Sequence, residues 1–179
     1  DLSGLPEGAV EAAKMAAQDK NKEGWLFTLH YPSYFPFMTY ADNRELRKQM
    51  ALASGRKNFS GDELDNSNHV LRIAELRQQR ANLLGYDNHA HFVLEEQMAT
   101  SPQKVNDFLA NLLSKSKPVA EQEFDQLTDY AKELDQIDAL HTYDGNYYSE
   151  KLKQKNYNLD DEKLKPYFKL DNVVDGVFK

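Results

Sequence analysis

The chain has 179 residues, 40% of them hydrophobic, 28% charged and 11% aromatic, a composition that builds a folded core. Its formal charge of −7 excludes a general nucleic-acid binder, which relies on clustered Lys and Arg with positive net charge. There is no cysteine, so disulfides, thiolate metal sites and a cysteine nucleophile are excluded, and no apolar run approaches the ~20 residues of a membrane helix.

Residues 7–20 are Ala-rich, keep helical spacing and follow Pro6, which predicts a helix. Gly24 then introduces residues 25–31, an aromatic and β-branched run closed by Pro32, and residues 33–40 add a second proline in an aromatic setting. The one extended or strand segment is expected here, near 25–31. Asp42 followed by Glu45 reads as a capping box for a helix carrying Leu46, Met50 and Ala53 and stopped by Gly55. Residues 57–64 are polar and glycine-containing, a loop.

Residues 65–84 place Val70, Ile73, Ala74, Leu76, Ala81 and Leu84 on an amphipathic helix that ends at Gly85. A further helix is expected over 89–98. Ser101-Pro102 is a helix start, after which the apolar period runs from Val105 to Leu134, with Pro118 expected to kink or divide it. Shorter helices are expected over 147–155 and 160–165. With no repeat and no Gly/Ser linker, residues 1–179 read as a single, mainly α, multi-helix lobe.

Candidate chemistry is sparse. None of His30, His69, His89, His91 or His141 lies in H-E-x-x-H, so no zincin site can be drawn on this chain. His89 and His91 with Glu95 are zinc-compatible residue types, but residues two apart diverge on a helix, and packing or surface histidines are the simpler reading. Asp138, Asp144, Asp160, Asp161 and Glu162 lack the spacing of a calcium loop and read as solvated surface, with 160–162 suited to a helix N-terminus. The aromatic residues at 31–37 and 143–148 suit either a peptide cleft or, more simply, packing. No initiator Met is present, and the chain stops inside an apolar pattern at 173–178, so an internal excerpt of a longer protein is expected.

Four stretches in order carry a family resemblance: Gly4-Leu5-Pro6; Tyr31-Pro32-Ser33-Tyr34 on to Asn43-Arg44-Glu45-Leu46-Arg47; Leu83-Leu84-Gly85-Tyr86 on to Met98-Ala99; and Tyr147-Tyr148 on to Gly176-Val177-Phe178. Together they resemble the region preceding the zinc motif in the thimet oligopeptidase, oligopeptidase A and peptidyl-dipeptidase family, with the wording at 147–152 leaning toward the peptidyl-dipeptidases. One departure is Tyr143-Asp144, where the family commonly shows Trp-Asp.

The resemblance implies a neurolysin-like zincin lobe in a parent protein that binds zinc and hydrolyses short peptides. In that parent, zinc would polarise the scissile carbonyl and activate water. It assigns no catalytic, cofactor-binding or metal residue to this chain, so the chain alone is expected to be inert, without zinc and prone to self-association. Its partner would be the missing catalytic lobe of the same polypeptide. Two rival readings are a stand-alone helical module that binds a peptide or partner helix, and a small metalloenzyme using His89, His91 and Glu95.

Overall fold

The structure, a computed structural model, describes all residues 1–179. It is mainly α, with no strand: α1 (Glu7–Gln18), α2 (Tyr31–Tyr40), α3 (Arg44–Gly55), α4 (Ser67–Leu83), α5 (His89–Leu94), α6 (Pro102–Asp135), α7 (Gly145–Tyr157), α8 (Asp161–Leu164), a 3-10 turn (Lys165–Tyr167) and α9 (Leu170–Val177). The chain divides into two compact units, one made of Asp1–Gly55 with Gln126–Lys179, the other of Arg56–Asp125.

In the first unit, α2 packs against α1, α3 and α7. α1 offers Ala13 and Ala17, small enough for close approach, as its buried positions. A core of Ala131, Tyr147 and Tyr148 is flanked by Leu127, Ile137 and Leu140. The second unit rests on α4 against α5, where Ala81 is fully buried and Gln78 Nε2 donates to the Asp87 carbonyl at 2.9 Å. Gly85 takes φ +86 beyond α4, and Tyr86 N–H returns to the Ala81 carbonyl at 2.9 Å, satisfying an end-of-helix acceptor.

Three local expectations change. The segment expected to be extended forms no ladder, because the chain supplies no second strand to pair with it. Residues 33–40, read as a continuation of that aromatic stretch, lie in α2: Pro32 pre-sets the first turn, Pro36 forfeits one bond, and burial of Phe37, Met38 and Thr39 outweighs that loss. Pro118 does not divide α6, which runs through 34 residues.

The cap of α3 also moves by one residue. Asn43 Oδ1, not Asp42, accepts from Leu46 N–H at 3.1 Å. Ser101 does cap α6, with its hydroxyl accepting from Lys104 N–H at 3.3 Å. Asp160 caps α8 through Glu162 N–H at 3.0 Å.

Candidate functional site

The most constrained group of side chains lies in the first unit, where α3 meets the start of α7. Asp144 is 0% exposed, and its carboxylate accepts from Arg44 through Nε at 2.9 Å and Nη2 at 2.7 Å. It also accepts from Arg47 Nη2 at 3.3 Å and from the His141 N–H at 3.0 Å. Burial opposes its ionisation, and these hydrogen bonds outweigh burial, so its carboxyl is held below the ordinary value.

Arg47, itself 1% exposed, donates to the carbonyls of Ala41, Asp42 and Tyr143 and lies 3.9 Å from the centre of the Tyr147 ring. Asp144, expected from the sequence on a solvated acidic surface, is instead buried, because two arginines from a helix a hundred residues earlier make its burial tolerable.

Around this charge knot, Tyr147 donates to Asp42 Oδ1 at 2.9 Å, and Lys151 approaches the same oxygen at 3.4 Å. Tyr148 donates to Asp135 Oδ2 at 2.8 Å. Burial first, and then these hydrogen bonds to carboxylates, push both phenols above their ordinary range. Phe37, Tyr147 and Tyr148 are therefore packing residues, whereas Tyr31 and Phe35 stack on one another at the surface. Within the knot, Asp144 is enclosed and both of its carboxylate oxygens are taken by the two arginines and the His141 N–H.

The same unit carries a cleft of about 700 Å³ lined by Leu2, Trp25, Phe27, Phe37, Leu46 and Met50, with Asp1 and Gln49 also on its wall. Phe27 meets Phe37 edge-on at 4.8 Å. Such a wall can bind apolar side chains and offers almost nothing for bond-breaking.

The residues with metal-compatible chemistry are not assembled. In the second unit, His91 Nδ1 lies 3.0 Å from Asn88 Oδ1, Glu95 accepts from the Tyr86 hydroxyl, and the His89 ring faces Phe92. No group of three His, Asp or Glu side chains converges on a point where a metal could sit, so the donor set does not fit a zinc ion. Asp138 pairs with Lys132 at 3.7 Å, Asp161 with Lys153 at 2.8 Å, and Glu162 with Lys165.

Residues 37–179 match the profile described as Peptidase family M3. The whole chain is 44% identical to the oligopeptidase A of Salmonella typhimurium and to that of Escherichia coli, in each case covering 27% of the relative. Against the dipeptidyl carboxypeptidase of Salmonella typhimurium, identity is 31% over 99% of the chain and 26% of the relative. The chain thus spans little more than a quarter of the length of the curated relatives it matches. Over that span it shares more residues with oligopeptidase A than with the carboxypeptidase, so the lean at 147–152 does not extend along the chain. With the profile running through four-fifths of its length, including the charge knot, the chain belongs to peptidase family M3.

Proposed function

We propose that these residues are one helical part of the catalytic domain of a longer zinc-dependent peptidase, an oligopeptidase or peptidyl-dipeptidase acting on short peptides, and that the part alone is inactive. The observation that carries this reading is the match over the whole chain to enzymes of which it covers only 27%. Leu112, Leu113, Val177 and Phe178 are among the large apolar side chains left in solvent. In the parent, that surface is covered by the remaining polypeptide, and zinc supplies Lewis-acid and water-activating chemistry from ligands outside these residues.

The test compares the purified chain with the product of the full reading frame that contains it. The parent should hydrolyse short peptides in a chelator-sensitive way, and the chain should not. Chelator-sensitive hydrolysis that scales with the concentration of the isolated chain would overturn the reading.

The apolar cleft favours one alternative, a stand-alone module that binds a peptide or partner helix. That reading requires a monodisperse chain, whereas the exposed apolar surface of a part should make it self-associate. Light scattering against concentration separates the two.

A further inference from the structure

We infer that residues 25–28 are an open β-edge, and that in the parent enzyme a strand of the same polypeptide lying outside these 179 residues pairs with it and fills the cleft beside it. The inference rests on the peptidase reading above. Its basis is an alternation. Leu26 N–H donates to the Ala13 carbonyl at 2.9 Å and Thr28 N–H to Ser33 Oγ at 2.9 Å, while the N–H groups of Trp25 and Phe27 find no acceptor in the chain.

In an extended strand, residues two apart direct their backbone groups to one edge, so one edge here is bonded and the other is free. The side chains keep the same period, with Trp25 and Phe27 both lining the cleft of about 700 Å³. Trp, Phe and Thr are strand-forming residues, yet the chain contains no strand to receive them.

An unpaired edge beside an apolar cleft is a template for aggregation, and native proteins cover such edges. Trp25 is 50% exposed as it stands. The occupant must be extended, with apolar side chains at alternate positions. A resident strand of the parent meets both demands permanently, and relatives nearly four times the length of this chain have the sequence to supply it.

Amide hydrogen exchange, measured in the isolated chain and in the full-length parent, tests this, with the Leu26 amide as a reference that is bonded in both. The Trp25 and Phe27 amides should exchange at least roughly tenfold more slowly in the parent. Rapid exchange in both proteins overturns the inference, and so does slow exchange in the isolated chain. Protection that arises in the parent only when a peptide substrate is added also overturns it, by making the substrate the occupant. Peptide hydrolysis by the parent, assayed separately, reports on the peptidase reading: an active parent with an unprotected edge sinks this inference alone.

Discussion

Asp144 and Arg44 meet through two parallel charge-assisted hydrogen bonds, 2.9 Å from Nε and 2.7 Å from Nη2, across a hundred residues of chain. Arg47 completes the knot from the next turn of α3. Asp144 and Arg47 are both out of solvent, whereas Arg44 is 38% exposed at its side chain. The three charges therefore do not contribute equally.

Replacing Asp144 by Ala strands the Arg47 guanidinium in the interior, a loss on the order of 3–5 kcal/mol. Arg44→Ala should cost less, because water reaches that side chain and screens its pairing. Urea unfolding midpoints of the two variants measure the difference. Equal midpoints would mean that the knot relaxes around either loss.

The same carboxylate sets a pH dependence. Its pKa in the folded chain is held below the unfolded value of about 3.9, so its contribution is present above that pH and is lost as pH falls toward the folded value. Wild-type stability should decline below about pH 4, and the Asp144→Asn variant, already destabilised at neutral pH, should decline less steeply there. Thermal midpoints collected from neutral to acid pH check this, and parallel acid limbs would exclude Asp144 as a source.

Tyr147 and Tyr148 act at the other end of the scale. Their folded pKa values are raised above the ordinary value of about 10, so folding favours the protonated phenols, and this stabilisation fades as pH rises past 10. Of the ten tyrosines, these two should ionise only together with alkaline unfolding in an absorbance titration. Tyr148→Ala should cost about 3–5 kcal/mol by leaving a cavity. Tyr148→Phe should cost no more than about 1.5 kcal/mol, because Asp135 is exposed and water can replace the hydroxyl.

The helices were largely legible because their signals are local: apolar spacing, Pro6 and Ser101-Pro102 at starts, Gly55 and Gly85 at ends. The knot was not. Asp144 reads as one acid among several until Arg44 and Arg47 are brought to it, and nothing in the local sequence announces a pairing over that distance. Residues 31–40 failed for a related reason, since their aromatic, proline-containing sequence looks extended and becomes helical only through what Phe37 and Met38 bury against. Of a zincin motif there was nothing to read, because the chain carries no H-E-x-x-H. The family resemblance succeeded by order and spacing along the whole chain, which is information that no single site holds.

Gly4 joins that sequence pattern to the packing. It adopts φ +82, and a Cβ there would fall onto the Tyr40 carbonyl oxygen and lie 2.7 Å from Asp42 Oδ1. Neither neighbour can yield easily: the first is backbone, and Asp42 is held by Tyr147, by Lys151 and by its own N–H, which donates to the Ser3 carbonyl at 2.9 Å. Gly24 has a similar φ of +89 but open space around it, so Gly24→Ala should show left-handed strain alone, about 1–2 kcal/mol. Gly4→Ala should lose more than that, because the clash must be relieved by moving the Ser3–Asp42 contact that seats the start of α1 against the α2–α3 link. Urea midpoints for the two variants decide it. Equal losses would mean that the Gly4-Leu5-Pro6 turn moves freely, and that its place in the pattern reflects something other than this contact.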